Sequence, residues 1–378
     1  MTNPNSGKND KRYAHDPELR LRELSRVAGP SAIVRQTRDL SHLREVVEEF
    51  FDAGCDTWVC DGGDGTLHWL LATGMDVARQ REGLEPGGAE VPRLPMVMPA
   101  NGGSVDFIAH KAGVHGDCVD LLRSLAGWAR RDEVPPCVEL DTFRFVGHVA
   151  NPKPGEPAII DRLGFATAIG GIAQRFFERL YALRPVEPAK IARVLGSAVG
   201  SVAVARGPLG RVLPPRLRSW LASSLGDEIF EPTRARVEVD GKRLPFESFA
   251  SLQLGSIDIN LGGVVRTFRH AAESGVLHAQ AASMSPLGVT ANLPNIVLGT
   301  PLWGKNVFDA PASTLRVSAV DAPLDPVIDG EMFFGLSQIE LSRGPALRVP
   351  LVHTRRSSWL PTSRPAYKTT IAPERVAR

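Results

Sequence analysis

The stretch TWVCDGGDGT, residues 57–66, decides how this chain is expected to fold. Its first four residues form a short apolar run that predicts a buried strand, and Leu67, Leu70 and Leu71 follow at the spacing of a helix. A strand, a glycine-rich turn and a helix in this order point free backbone N–H groups at a phosphate. Asp64 adds a carboxylate where Mg²⁺ bound to a nucleotide can sit. The stretch therefore predicts a nucleotide-phosphate site, and the alternative is an ordinary glycine turn with a solvated aspartate.

Strand and helix signals alternate through the first third of the chain. Short apolar runs at 32–34 and 94–98 predict further strands, the first of which ends near Thr37, and apolar stripes at 43–51 and 119–125 predict helices. A second glycine turn, residues 101–104, follows the second of these strands. Repeated βα units favour a doubly wound parallel sheet, which binds ligands beyond the carboxyl ends of its strands. Both glycine turns are expected at that edge.

The pattern changes after the first third of the chain. Residues 234–239 alternate in polarity and run into Asp240 and Gly241, which together predict a β-hairpin. Five more short strands are expected, at 249–255, 276–281, 314–320, 337–342 and 346–352. The predicted fold class is thus α/β + β, with a doubly wound α/β nucleotide-binding domain at 1–136 and an all-β domain of sandwich or barrel type at 137–352.

Charge is almost balanced over the whole chain. The 378 residues contain 44 Lys and Arg against 42 Asp and Glu, a net charge of +2, so bulk electrostatics predict no nucleic-acid partner. Residues 175–225 depart from this balance, with nine basic and two acidic residues in a helical stretch rich in Ala, Val and Leu. Such a basic insertion either lies on anionic lipid or is the solvated face of helices packed on the β domain. Residues 353–378, rich in Pro, Ser and Arg, predict a flexible tail.

Cysteine and hydropathy patterns predict the compartment. The four cysteines form no C-x-x-C pair, which is typical of a reduced intracellular protein. No apolar stretch of the sequence is long enough to span a bilayer, and the N-terminal residues are too polar for a signal peptide. The expected location is cytoplasmic, and any membrane contact is expected at the inner surface of the membrane.

Four motifs in a fixed order carry a resemblance. They are NPNSGK at 3–8, GGDGT at 62–66, MPANGGSVDFIA at 98–109 and IDGE at 328–331. This order resembles the diacylglycerol kinase catalytic-domain family, which also includes sphingosine and ceramide kinases. The resemblance implies an α/β nucleotide domain followed by a β-sandwich, with ATP as phosphoryl donor, Mg²⁺ as metal and a lipid hydroxyl as acceptor. The acceptor would be diacylglycerol, a sphingoid base, ceramide or a related lipid at the membrane surface, and the oligomeric state is left open.

The resemblance also implies a set of site residues. Ten of them would contact the nucleotide: Asn3, Ser6, Thr37, Gly62, Gly63, Gly65, Thr66, Gly102, Gly103 and Ser104. Asp64 would hold Mg²⁺, directly or through water, or take the proton of the acceptor hydroxyl. Glu331 would be the general base, reaching that hydroxyl directly, through Asp329 or through water. The alternative for Asp329 and Gly330 is a simple hairpin turn with Glu331 exposed.

The chain departs from the family pattern in three places. Residues 102–109 stand in place of the family's GTxNDFA, so the expected threonine and asparagine are missing. Ile172 and Ala173 stand where an acidic residue is frequent, and only two residues precede Asn3, so the first strand is absent or begins upstream. These departures leave two alternatives to an active lipid kinase. One is an enzyme like NAD kinase, which shares GGDG, and the other is a catalytically weak lipid- or nucleotide-binding protein on the same scaffold.

Overall fold

The structure is a computed structural model that describes residues 1–13, 15–103, 106–182, 227–261 and 265–352, a few single positions between 193 and 216, and Thr369–Thr370. Met1–Thr142 and the segment from Gly344 onward form one compact unit, and Phe143–Arg343 form a second. Most of the tail predicted at 353–378, all but Thr369–Thr370, and most of the basic insertion predicted at 175–225 lie outside the described residues. None of the helices described is both long and apolar enough to cross a bilayer.

Short helices and strands make up both units. The helices described are α1 (Gly7–Tyr13), α2 (Pro17–Ala28), α3 (Leu40–Asp52), α4 (Asp64–Glu82), α5 (Phe107–Lys111), α6 (Cys118–Arg130), α7 (Ile172–Ala182), α8 (Pro286–Ala291) and α9 (Leu293–Leu298). The strands described are β1 (Thr57–Cys60), β2 (Met96–Pro99), β3 (Cys137–Leu140), β4 (Phe143–Val149), β5 (Ile159–Gly164), β6 (Ala166–Gly171), β7 (Thr233–Val239), β8 (Lys242–Arg243), β9 (Ser248–Phe249), β10 (Ser251–Gly255), β11 (Ile259–Leu261), β12 (Val265–Thr267), β13 (Leu277–Ala282), β14 (Val307–Ala312), β15 (Thr314–Ala319), β16 (Val327–Ile328), β17 (Glu331–Met332), β18 (Leu336–Arg343), β19 (Leu347–Pro350) and β20 (Thr369–Thr370).

Parallel strands form the centre of the first unit. β1 pairs with β2 in parallel. Thr2 makes parallel bridges to Gln36 on one side and to Asp61 on the other, so Thr2 lies between Gln36 and the residue that follows β1. The strand predicted from 32–34 to near Thr37 is present only as a single bridge, in which Gln36 pairs with Thr2.

Amphipathic helices flank these strands. The stripe on α3 buries Leu43, Val46, Val47 and Phe50, and α3 packs against α4 while α2 packs against α6. β19 belongs to this unit as well, since it pairs with β3 and lies against β2. The first unit is therefore an α/β domain.

Two antiparallel sheets form the second unit. Their strand orders are β14-β13-β10-β6-β16-β17 and β5-β4-β18-β15-β7-β8, with β9 also paired to β7. Side chains from both sheets, among them Phe145, Leu254 and Val317, form one buried apolar cluster. The predicted hairpin joins β7 to β8 through Asp240 and Gly241, whose φ values are 48° and 74°. This unit is a β-sandwich, and the predicted fold class is confirmed.

Candidate functional site

The two glycine turns lie directly against each other at the carboxyl ends of β1 and β2. The Gly102 N–H donates to the Gly62 carbonyl oxygen at 3.1 Å. A Cβ atom on Gly102 would lie 2.8 Å from the Gly62 nitrogen, and one on Gly63 would lie 2.8 Å from the Gly103 Cα. Backbone therefore packs on backbone, an approach that residues with side chains at these positions would prevent.

Replacing Gly103 with alanine should disrupt this contact. The new Cβ would collide with the Cα of Gly63 and lie 2.6 Å from Asp106 Oδ1, so the two turns would have to separate. Overpacking of this kind lowers the free energy of unfolding by about 1–3 kcal/mol, and we also expect weaker binding in a titration with ATP. Gly127→Ala in α6 is the matched control, because a Cβ there meets nothing nearer than 3.7 Å. Wild-type stability in the G103A protein would contradict the backbone contact.

α4 begins beside this contact without a side-chain cap. Its N-cap residue is Gly63, and no side chain accepts a hydrogen bond at that position. The N–H groups of a helix's first turn carry partial positive charge, so an uncapped N-terminus beside glycines suits a phosphate. Gly65 and Thr66 lie in this first turn, and the Thr66 hydroxyl accepts a hydrogen bond from Asn3 Nδ2 at 2.9 Å. The first loop of the chain thus meets the glycine turn here.

Hydrogen bonds to Asn3 and Thr2 fasten that first loop. The Asn3 N–H donates to the Asp61 carbonyl at 3.0 Å, and the Asn3 carbonyl accepts from the Ser6 hydroxyl at 3.0 Å. Thr37 directly follows Gln36, the bridge partner of Thr2, and its buried hydroxyl donates to the Thr2 carbonyl at 3.4 Å. Ser6 and Thr37 therefore donate their hydroxyl protons to backbone, and each hydroxyl oxygen can still accept a hydrogen bond.

Lys8 links the first loop to the second glycine turn, a role that the sequence did not predict. Its ammonium donates to Asp106 Oδ2 at 2.7 Å and to the Asn101 carbonyl at 2.9 Å, and its backbone N–H donates to the Gly102 carbonyl at 3.1 Å. Asp106 is buried, and its other carboxylate oxygen accepts from the Gly103 N–H at 2.8 Å. The Lys8 side chain is 54% exposed, so its charge remains accessible to an anion at this edge.

Asp64 holds the start of α5. Its carboxylate accepts the Phe107 N–H at 3.1 Å through Oδ2 and the Ile108 N–H at 3.3 Å through Oδ1. The described residues contain no group of three or more His, Cys, Asp or Glu side chains that would hold a metal by themselves. Mg²⁺ on a nucleotide usually takes one or two protein carboxylates and fills its other positions with phosphate and water. The chemistry of Asp64 therefore fits a Mg²⁺–nucleotide complex better than a metal bound by protein alone.

A buried ion pair lies at the start of the first glycine turn. Arg20 Nε and Nη2 donate to the two carboxylate oxygens of Asp61 at 2.9 and 3.0 Å, and the Thr2 hydroxyl donates to Asp61 Oδ2 at 2.7 Å. Burial by itself lowers the pKa of Arg20, but the hydrogen bond and charge of Asp61 outweigh burial and raise that pKa above its usual value. Because Asp61 directly precedes Gly62, the ion pair fixes where the turn begins.

The cysteine nearest this turn is chemically inert. Cys60 is the last residue of β1, and burial raises the pKa of its thiol to about 12. A thiol that stays protonated is a poor nucleophile and a poor metal ligand. The chemistry of this edge therefore rests on backbone N–H groups, the Lys8 ammonium and the Asp64 carboxylate.

In the second unit, Asp329 and Gly330 form the turn between β16 and β17. Their φ values are 50° and 92°, as a two-residue hairpin turn requires. Asp329 is buried, and its Oδ1 accepts from the Phe165 and Ala166 N–H groups, both at 2.9 Å. The Glu331 side chain is partly exposed, and its carboxylate makes no hydrogen bond or ion pair in the part of the chain described. The hairpin is thus real, and the role of Glu331 as a base stays a prediction.

Most of the residues predicted to contact nucleotide lie together in the first unit. Eight of them are connected by hydrogen bonds, by backbone contact or by their place in the first turn of α4. They are Asn3, Ser6, Gly62, Gly63, Gly65, Thr66, Gly102 and Gly103. Thr37 is bonded to Thr2, directly before Asn3, and Ser104 lies outside the described residues. Their roles toward a nucleotide stay predictions.

A family model matches the part of the chain that contains this site. Residues 1–133 match the diacylglycerol kinase catalytic domain. The predicted resemblance is confirmed over this third of the chain. A search of curated proteins finds no match to the chain.

Solved structures share the fold at low sequence identity. Two structures of a candidate diacylglycerol kinase from Bacillus anthracis strain Sterne superpose with TM-scores of 0.51, at 14% and 13% identity, and cover 91% of this chain and 90% and 92% of theirs. Yeast NADH kinase complexed with NADH is more distant, with a TM-score of 0.44, 10% identity and coverage of 90% of this chain and 80% of its own. At these identities the first two comparisons establish a shared fold alone.

Proposed function

We propose that this protein is an ATP-dependent kinase that transfers the γ-phosphate to a lipid hydroxyl. The observation that carries the proposal is the meeting of two glycine turns at the uncapped N-terminus of α4, within the segment that matches the diacylglycerol kinase catalytic domain. Phosphoryl transfer depends mainly on positioning and on stabilisation of negative charge. Backbone N–H groups, the Lys8 ammonium and the Asp64 carboxylate supply groups for both at one edge of the sheet.

Each group has a distinct part in this proposal. The N–H groups in the first turn of α4 bind phosphate oxygens, and Lys8, oriented by Asp106, faces the same charge. Asp64 would hold Mg²⁺ directly or through water, and the metal would supply positive charge to neutralise the phosphates. Glu331 removes the proton of the acceptor hydroxyl.

Incubation of the purified protein with labelled ATP, Mg²⁺ and a panel of acceptors tests the proposal. The panel contains diacylglycerol, a sphingoid base, ceramide and NAD⁺, and we expect label on one of the lipids. Label on NAD⁺ would instead support an enzyme like NAD kinase. ATP binding without transfer to any acceptor would support a catalytically weak binding protein on the same scaffold.

Glu331→Gln should lower kcat about a hundredfold and leave the dissociation constant of ATP unchanged. General-base catalysis contributes roughly 10²–10⁴-fold, and an amide cannot take the proton. The substitution is nearly isosteric at a partly exposed position, so the fold should not change. Glu273→Gln, at an exposed position of the same unit, is the matched control. A normal kcat in the E331Q enzyme would show that the Glu331 carboxylate has no catalytic role.

A further inference from the structure

Three large apolar side chains are strongly exposed in one segment of the second unit. Leu287 lies on α8, Leu298 ends α9 and Trp303 lies in the segment that follows, with exposed fractions of 51%, 67% and 70%. Single exposed apolar residues are common, but several large ones concentrated in one segment mark an interaction surface. We call these three side chains the apolar patch.

Buried asparagines hold the backbone of the apolar patch in place. Asn292 Nδ2 donates to the Trp303 carbonyl at 3.1 Å, and Asn292 Oδ1 accepts from the Trp303 N–H at 2.7 Å. Asn295 Nδ2 donates to the same Oδ1 at 3.1 Å, and its own Oδ1 accepts from the Thr300 hydroxyl at 2.9 Å. The segment after α9 is thereby folded back onto the junction of α8 and α9. Trp303 is therefore exposed on an ordered backbone.

The charge around the apolar patch is positive. Between Glu273 and Asp309 the only Lys, Arg, Asp or Glu residue in the sequence is Lys305, which is exposed and forms no ion pair with the described residues. The aliphatic part of Arg266 packs over Gly299, the residue after α9, and its guanidinium pairs with Asp258 at 3.2 Å. The carboxylate of Asp309 accepts the Leu302 N–H at 2.9 Å, but it is 5% exposed and pairs with Arg269 at 2.9 Å. Lys305 thus carries the uncompensated charge.

We propose that the apolar patch docks on an anionic lipid surface. The unpaired charge of Lys305, beside carboxylates that are each paired with an arginine, selects this occupant. The Trp303 ring lies at the level of the headgroups, the two leucines enter the boundary of the acyl chains, and Lys305 meets headgroup phosphates. The inference rests on the proposed function, since a lipid acceptor lies in such a surface, but docking itself needs neither ATP nor catalysis.

Co-sedimentation with vesicles, without ATP and without acceptor, tests the docking. The vesicles contain phosphatidylcholine mixed with phosphatidylglycerol. A double variant, Leu298→Ser with Trp303→Ser, should bind about a hundredfold more weakly than wild type, roughly tenfold for each apolar side chain withdrawn. Lys305→Glu should weaken binding and make it less dependent on salt. The matched control replaces Leu19 and Leu40 of the first unit, 49% and 52% exposed, with serine and should bind as wild type does.

Three results would overturn the docking proposal. They are a wild-type protein that does not bind the vesicles, equal binding by the wild type and the double variant, and a wild-type dimer that becomes monomeric in the double variant while vesicle binding stays the same. The last result would assign the apolar patch to a second copy of the chain. Thermal unfolding at the wild-type temperature verifies that the variants are folded.

A separate assay distinguishes failure of docking from failure of the proposed function. It measures transfer from labelled ATP to a short-chain lipid acceptor dispersed in water, where no surface is needed. Equal turnover by the wild type and the double variant is expected, because the apolar patch has no part in the chemistry. Absence of turnover in the wild type while vesicle binding persists would overturn the proposed function alone.

Discussion

Asp64→Ala should lower kcat on the order of 10³-fold, the size of effect that follows removal of a group stabilising charge in a transition state. The geometry adds a second consequence, because the Phe107 and Ile108 N–H groups lose the carboxylate that receives them at the start of α5. Loss of such a capping acceptor lowers the free energy of unfolding by about 1 kcal/mol. The variant should therefore fold and be slightly less stable, and steady-state kinetics and denaturant unfolding measure the two effects separately.

Asp64→Asn separates the charge of this residue from its hydrogen bonds. Asparagine keeps a carbonyl oxygen that accepts an N–H but has no charge for Mg²⁺. We expect the D64N enzyme to lose as much kcat as D64A, to need more Mg²⁺ for half-maximal rate and to retain most of the stability. Asp120→Asn, at an exposed aspartate paired with Arg123 on α6, is the matched control and should change neither quantity. Wild-type kcat in folded D64N would remove the Asp64 charge from the proposed mechanism.

The glycine turns could be predicted because their signal is local. Strand, turn and helix all fall within about twenty residues around 57–66, and parallel βα units put successive turns at the same sheet edge. The strand predicted from 32–34 to near Thr37 is a single bridge at Gln36, and its extent could not be predicted for the opposite reason. The bridge partner of Gln36 is Thr2, which is distant in the sequence, and no local sequence pattern predicts a pairing of one residue with one residue.

The side chains that fasten the turns could not be predicted in the same way. Lys8 and Asp106 are 98 positions apart, and Arg20 and Asp61 are 41 apart. Lys8 stands within a quoted motif, but a lysine in a polar loop has the pattern of a surface charge until the second glycine turn is known to lie beside it. Arg20 is one of several basic residues on α2, and helical periodicity does not distinguish the one whose partner is buried.

At residues 329–331 the sequence left two alternatives open, a simple hairpin turn with Glu331 exposed or a general base at Glu331. Asp329 and Gly330 adopt the positive φ values of a hairpin turn, and Asp329 uses its carboxylate on two backbone N–H groups. Glu331 begins the next strand and keeps its carboxylate accessible. The turn and the proposed base concern different residues of the same motif, so the hairpin is compatible with catalysis. Only kinetics on the E331Q enzyme shows whether the Glu331 carboxylate acts as a base.

Arg20→Met is expected to destabilise the first unit by about 3–5 kcal/mol, the usual cost of removing one member of a buried ion pair. Asp61 is 1% exposed, so its carboxylate would be left desolvated with the Thr2 hydroxyl as its remaining donor among the described residues. Arg22→Met on the same helix is the matched control. The side chains of Arg22 and its partner Asp16 are 60% and 47% exposed, and loss of such a pair lowers stability by less than about 1 kcal/mol. Denaturant titration of the three proteins gives both values.

A second substitution tests the physical cause of that loss. If the unpaired carboxylate is responsible, Asp61→Asn added to Arg20→Met should restore about 1–2 kcal/mol, because a neutral amide is less costly to bury and still accepts a hydrogen bond. The glycine turn gives a further readout. The Asp61 carbonyl receives the Asn3 N–H, and Asp61 directly precedes Gly62, so R20M should also weaken ATP binding while R22M should not. Equal stability of R20M and R22M would mean that Asp61 regains water when the arginine is removed, and the ion pair would then have no part in fixing the first glycine turn.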